Sequence, residues 1–508
     1  GKELKHFLSQ SSLERMFRRD MLVEYRGVVH EEPILVDAEK GAPRHVFHAK
    51  LLHYSRETVR GSLEKLTQYS MLGAAKRAAA GKRGGVVRGL ASAAAFMVPG
   101  LALWLPSGYS YGAALLLLTA LVGAPWWWRE CRVSRQSGWL VLAIVVMGFV
   151  WLLDSTDGAW RWGTVDRPSK YLLALPCLFF LLAHAPNPRF LWAGITVGAL
   201  GSGGIALYQI GVLHLPRAAG YTNAIQYGNL CVLLALMCLV LLATRPPGVQ
   251  TWHRLLMAVG VVLGLVGSVL SQSRGGWVAF ALILPALALV LRPYIGWRQF
   301  AAGTAALLCA LSVLVFVQRH GLEERLDMAV TEAQQFEQKG DAVSSVGQRL
   351  AHWQLAWDMG LARPLLGWGK SGYDAEKQRQ VNAGQAHPFL LEFAHVHNEV
   401  LDLFAKHGLL GVLALLLFYG VPLALFWPTR ARVMVPATNG GMQLDRTALA
   451  LHLVGWTVPV AYIAFGLTQV FFAHNSGNVF YLFMVMLVHS CLQARQHAGG
   501  SDAHPAGQ

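Results

Sequence analysis

Residues 224–243 read AIQYGNLCVLLALMCLVLLA, twenty residues without a charged side chain. A helix of that length is about 30 Å long, the thickness of the hydrocarbon layer of a bilayer. Working outward in both directions, comparable apolar runs recur at 90–106, 111–128, 137–153, 169–186, 189–213, 252–271, 275–291, 299–317, 398–427, 447–470 and 477–493. The first two are the least regular, because Pro99 and Gly100 interrupt one and Trp126, Trp127 and Trp128 crowd the end of the other. The predicted fold class is an all-α membrane protein of about twelve transmembrane helices, with a long polar loop over 318–396 between the ninth and tenth. A composition of 54% hydrophobic and 14% charged residues, with mean hydropathy +0.40, agrees.

The formal net charge is +15. Its cations are scattered through short connections between apolar runs, where orientation signals sit, so nucleic-acid binding is not expected. With the amino-terminal segment placed in the cytoplasm, Arg129, Arg132, Arg135, Arg189, Arg245, Arg254, Arg292, Arg298, Arg430, Arg432, Arg446 and Arg495 all fall on the cytoplasmic side. That predicts cytoplasmic termini and a periplasmic 318–396 loop. The cations left on the outer side are few: Arg161, Arg167 and Lys170 in one connection, Arg217 in another, and Arg274 at a helix end. Arg161, Arg167 and Lys170 read either as a solvated outer loop or as a guide for an anionic lipid.

Cys131, Cys177, Cys231, Cys238, Cys309 and Cys491 lie in or beside apolar runs without a CxxC pair. They imply neither a disulfide framework nor a metal cluster. No cleavable signal peptide is visible, and the first span would serve as the targeting signal. Residues 1–88 differ from the rest, with 17 Lys/Arg against 10 Asp/Glu and no run able to span a bilayer. The basic end of this piece, Lys76-Arg77, Lys82-Arg83 and Arg88, reads equally well as a helix resting on anionic headgroups and as a merely solvated one. Residues 496–508 are read as a disordered cytoplasmic tail.

Three positions outside the bulk apolar pattern can carry chemistry. Arg274 in Ser271-Gln272-Ser273-Arg274-Gly275-Gly276 is costly at a membrane helix end unless it meets a polar cavity, an anion or the interface. Arg217 in His214-Leu215-Pro216-Arg217-Ala218-Ala219-Gly220 lies on the same side, and two guanidinium groups facing one pocket suit a pyrophosphate. His397, in Glu392-Phe393-Ala394-His395-Val396-His397-Asn398-Glu399, can take a proton from a sugar hydroxyl near neutral pH, with Glu399 or Asp402 as a group to orient it. The HxH pair alone also fits zinc, but no third and fourth ligand stands at useful spacing, so no metal is expected. In the long loop, Val346–Met359 has the spacing of an amphipathic helix, ended by Pro364 and the turn Gly367-Trp368-Gly369.

His397-Asn398 followed by Gly408-Leu409-Leu410-Gly411 resembles the His-x10-Gly motif of the O-antigen ligase and O-antigen polymerase superfamily. Gly347-Gln348-Arg349 through Arg363-Pro364-Leu365-Leu366-Gly367-Trp368-Gly369 is similar to that family's periplasmic loop, and Ser273-Arg274-Gly275 and Arg217-Ala218-Ala219-Gly220 match its two arginine-bearing positions. The resemblance covers about 90–495. It implies a GT-C-like, metal-independent, inverting transferase without cofactor in the bacterial inner membrane, with an undecaprenyl-pyrophosphate-linked glycan as donor. His397, Arg274 and Arg217 would be catalytic, and Arg349, Arg161, His395, Asn398 and Arg363 would bind substrate.

A second resemblance lies in residues 1–88. Phe17-Arg18-Arg19, Val29-His30-Glu31, His53-Tyr54-Ser55, Tyr69-Ser70, Ala75-Lys76-Arg77-Ala78-Ala79 and Gly81-Lys82-Arg83 look like the carboxy-terminal third of a family 2 glycosyltransferase of the lipopolysaccharide-core type, without its nucleotide-binding strands or DxD motif. That neighbour favours lipid A-core as acceptor, hence a ligase rather than a polymerase or a pilin transferase. A lipid or solute transporter is the alternative from another class, although no internal repeat with paired broken helices supports it.

Overall fold

A computed structural model describes residues 22–26, 32–35, 85–156, 162–273, 275–294, 296–297, 331, 345–437 and 441–501. The chain divides into two compact units, Gly1–Gly85 and Val86–Gln508. In the first, strands β1 (Leu22–Arg26) and β2 (Glu32–Leu35) pair antiparallel. The basic segment around Lys76 to Arg83 lies outside the described residues.

The second unit is a helical bundle: α1 (Gly85–Gly100), α2 (Gly108–Glu130), α3 (Arg135–Thr156), α4 (Trp162–Ala183), α5 (Pro188–Gly211), α6 (Ala224–Thr244), α7 (Thr251–Leu270), α8 (Gly275–Leu291), α9 (Ser345–Ala362), α10 (Gly369–Asn382), α11 (Glu399–Phe426), the short α12 (Arg430–Val433), α13 (Arg446–Gly466) and α14 (Asn475–Ser501). Among the described residues, eight helices are long and apolar enough to cross a membrane: α2, α3, α5, α6, α7, α11, α13 and α14. α1 and α8 are shorter apolar helices, and α4 carries Asp166, Arg167 and Lys170 in its opening turns. A helix therefore stands at every predicted span except 299–317, which lies outside the described residues. The fold class holds as all-α apart from two small ribbons, β1–β2 and the hairpin of β3 (Met434–Pro436) with β4 (Met442–Leu444).

Three boundaries differ from the sequence expectation. α4 begins at Trp162, not 169, so Arg167 and Lys170 sit on a helix rather than in a connecting loop. Lys170 reaches back one turn to Asp166 at 2.6 Å, a pairing that lets polar residues extend the helix beyond its apolar part. The long loop contains a second helix, α10, whose polar sequence gave no apolar periodicity to read. α14 runs to Ser501, so the predicted tail boundary at 496 falls inside a helix.

Burial separates the centre of the bundle from its rim. Within their most apolar windows, α14 is 94% buried, α13 89% and α6 83%, whereas α2 is 22% and α7 28% buried and turn their remaining apolar surface outward. In lipid, close helix packing relies on small residues. Gly194 and Gly198 of α5 show this, since a Cβ on either would overlap the α1 backbone at Phe96 or Pro99. Following the chain through the bundle, Arg129, Arg132, Arg189, Arg245, Arg254, Arg292, Arg430, Arg432, Arg446 and Arg495 all fall near one set of helix ends. α9 and α10 lie at the other set.

Candidate active site

The site end is organised by a break in α11. Gly408, the glycine eleven positions after His397, has φ 60° and ψ −150°, a conformation almost restricted to glycine. The break frees two backbone N–H groups, and the turn after α9 takes them: Leu409 donates to the Pro364 carbonyl at 2.7 Å and Leu410 to the Leu365 carbonyl at 3.2 Å. A Cβ on Gly408 would lie 2.6 Å from both of those oxygens. Gly367, at φ 68°, fits equally closely against the backbone of Lys406 and His407, and the Trp368 N–H donates to the Ala405 carbonyl at 3.1 Å. The His-x10-Gly spacing thus joins two places in the fold: where the chain enters α11, and where the loop locks into it.

His397 precedes the N-cap of α11 and itself lies in the left-handed region, φ 58°, which histidine tolerates better than most residues. Its Nδ1 is 2.7 Å from Oε1 of Gln469, in the connection after α13. That same oxygen accepts the Val470 N–H at 3.2 Å. The backbone donor fixes which end of the carboxamide is oxygen, so Nδ1 must carry the proton and donate it. Nε2 is left with its lone pair. Burial, and the nearby Arg349 guanidinium, hold the imidazole below its ordinary pKa, against the opposing effects of Gln469 and Asp402. The ring is therefore neutral at pH 7, with one nitrogen ready to accept a proton.

Gln469 replaces the carboxylates expected to orient His397. Glu399 accepts the N–H groups of Phe471 and Phe472, at 2.5 and 3.2 Å, while Asp402 pairs with Lys406 at 2.8 Å. No local pattern points to Gln469, which lies 72 positions downstream. His395 faces away from this bond, with its Nδ1 4.0 Å from Asp402 and its ring 6.0 Å from that of His474. Burial drives its pKa down to about 3. Asn398 caps α11, its side-chain oxygen accepting from Val400 and Leu401, both at 3.1 Å.

A cavity of about 490 Å³ opens at this end, lined by Tyr109, Trp151, Asp154, Thr164, Asp166, Arg167, Tyr221, Thr222, Lys370, Ala473, His474, Asn475 and Ser476. Arg167 crosses it, stacked 4.3 Å over Trp151, donating to the Ala473 carbonyl at 3.2 Å and lying 4.0 Å from Asp154. His474 on its wall is lowered in pKa by burial, then by Arg167 and His397, so the cavity and the His397 imidazole are electrostatic neighbours. Lys370 and Asp154 were not singled out from sequence, because each is an ordinary charge near a helix end until the fold gathers them.

The arginines divide. Arg349 is exposed on α9 and acts electrostatically on His397. Arg217, half-buried, donates from Nε to the Ser271 carbonyl at 3.1 Å, and Gln272 returns a bond to the Pro216 carbonyl at 2.8 Å. The α5–α6 connection is thereby tied to the α7–α8 turn. Arg274 itself lies outside the described residues, as does Arg161. On either side of position 274, Ser273 donates to Asn229 at 3.2 Å and Gly275 packs against Thr468, the neighbour of Gln469. Arg363 is exposed, its guanidinium 3.9 Å over the Trp368 ring. Among the described residues no cluster of His, Cys, Asp and Glu has metal-binding geometry.

These features define a multi-pass membrane protein with a polar, cation-bearing site at one end of its bundle. Residues 259–416 match a family model described as O-antigen ligase. The matched segment holds Arg274, Arg349, Arg363, His397 and Gly408 but not Arg217, Arg161 or Gln469. The chain is also similar to a protein of Haemophilus influenzae described as uncharacterized, with 26% identity over 388 residues, 76% of this chain and 94% of that one.

Proposed function

We propose that the chain is an O-antigen ligase that transfers a glycan from undecaprenyl pyrophosphate to lipid A-core on the periplasmic face of the bacterial inner membrane, by direct inverting displacement. The observation that carries this reading is the His397 imidazole, neutral, donating through Nδ1 to Gln469 and keeping its Nε2 lone pair for a proton, at the end of the bundle whose polar cavity holds Arg167 and Lys370. In the reaction, Nε2 takes the proton of an acceptor sugar hydroxyl as its oxygen attacks the anomeric carbon. The bond from that carbon to the pyrophosphate oxygen breaks, and the electron pair leaves with undecaprenyl pyrophosphate. Arg217, Arg274 and Arg349 hold the diphosphate and offset the charge it gathers. Arg363, Arg161, Asn398 and His395 belong to the surrounding substrate surface.

The collection of arginines at the opposite set of helix ends supports cytoplasmic termini and a periplasmic site. The resemblance of residues 1–88 to part of a lipopolysaccharide-core family 2 glycosyltransferase favours lipid A-core over a glycan chain or pilin serine as acceptor.

Purified protein in detergent, supplied with undecaprenyl-pyrophosphate-linked glycan and lipid A-core, tests this. The expected product is glycan-bearing lipid A-core, and it should be lost with Arg217→Ala or Arg274→Ala. Elongated glycan left on the lipid carrier would identify a polymerase instead. Absence of transfer to any acceptor, with substrate movement across a vesicle membrane, would identify a transporter.

A further inference from the structure

The stretch Phe393–His397 has no helical or strand hydrogen bonds of its own, yet it must hold His397 in a left-handed conformation against Gln469. Its backbone is held instead by three buried charged side chains from two helices. Lys377 of α10 donates to the Phe393 carbonyl at 2.8 Å. Lys406 of α11 donates to the Ala394 carbonyl at 3.3 Å, and Asp402 accepts the Val396 N–H at 3.1 Å. Asp402 and Lys406 close on each other at 2.8 and 2.9 Å, and all three residues are at most 4% exposed. The Tyr373 ring lies between the two ammonium groups, 5.3 Å from Lys377 and 5.2 Å from Lys406.

Buried ions of this kind rarely increase stability over a well-packed apolar core, and one register-setting use is to fix a unique arrangement. Here all three bonds fall within the four residues, 393–396, that lead into His397. We propose that Lys377, Asp402 and Lys406 form a charged clamp on residues 393–396 that orients the His397 imidazole for transfer. The clamp residues are positioning residues. They bond to the backbone that carries the reacting group rather than to the reacting atoms, so their main effect falls on the rate of the chemical step.

The catalytic half of this inference rests on the transferase reading above; the structural half does not. The test uses full-length protein in detergent, comparing Lys377→Met and Asp402→Asn with wild type by deuterium exchange of the 393–398 peptide and by steady-state transfer kinetics. Both variants should exchange this peptide faster than wild type. They should lose about 10²-fold in kcat, the cost of misplacing a reacting group by an ångström, with KM changed by less than about twofold. Lys377 lies on α10, outside the membrane spans, so its variant keeps the test valid if Asp402→Asn fails to fold. Unchanged exchange in Lys377→Met overturns the clamp, and so does faster exchange with an unaltered kcat. A wild-type protein that transfers no glycan refutes the transferase reading, while the exchange result still decides whether the clamp exists.

Discussion

The two ends of the bundle use polar side chains in opposite ways. At the arginine-bearing end they close on each other: Ser137 bonds both His489, at 2.9 Å, and Gln493, at 2.7 Å, while Asp445 caps α13 and pairs with Arg495. At the site end, buried polar atoms of Gln226, Asn229, Ser268 and Glu399 have no hydrogen-bond partner among the described residues, whereas near the other end only Arg254 and His452 share that condition. Unpartnered polar groups cost stability, and they collect where a structure serves something other than its own folding. One end is built to hold the bundle together; the other keeps polar capacity and a strained histidine in reserve.

The largest test of that contrast is His397→Ala. Loss of a general base should lower the single-turnover transfer rate by about 10²- to 10⁴-fold while the protein stays folded in the membrane. A rate close to wild type would remove the assigned role. Gln469→Leu should be next, lowering kcat by about tenfold or more because the imidazole loses the partner that sets its tautomer, again with folding retained. Gly408→Ala acts on structure first. A side chain in this glycine-only conformation should destabilise by about 1–3 kcal/mol, read as a lower unfolding temperature in detergent, because it also displaces Pro364 and Leu365. An unchanged unfolding temperature would show that the loop does not depend on the break. The smallest effect belongs to the opposite end, where Ser137→Ala should cost about 1 kcal/mol of stability and leave transfer unchanged. Any sizeable loss of activity there would blur the distinction between the ends.

The bundle was largely legible in the sequence because membrane spans announce themselves through length and apolarity, and α1 and α2 remain separate helices although Pro99 and the three tryptophans obscure their limits. The amphipathic helix α9 was legible for the same reason, since Leu350, Trp353, Ala356 and Trp357 keep helical spacing. α10 was not, because its buried residues Tyr373 and Lys377 are isolated in a polar sequence. His397 and Gly408 stood out as a spaced pair, but their division of labour did not. Gly408 works through backbone angles and His397 through a partner 72 positions away, and neither property is written locally. Arg167, Lys370 and His474 became neighbours only when α4, α10 and the α13–α14 connection met around one cavity.

The state of the His397 ring is the claim on which the mechanism turns, and a single-turnover pH profile with wild type and Arg349→Ala tests it most directly. The reactive form is the neutral imidazole, so the rate should be flat near neutrality and fall as pH drops through a midpoint below the ordinary histidine value of about 6.5. Burial and the Arg349 charge oppose protonation, so removing that charge should move the midpoint upward. A wild-type midpoint above the ordinary histidine value, or a shift downward in Arg349→Ala, would contradict the account.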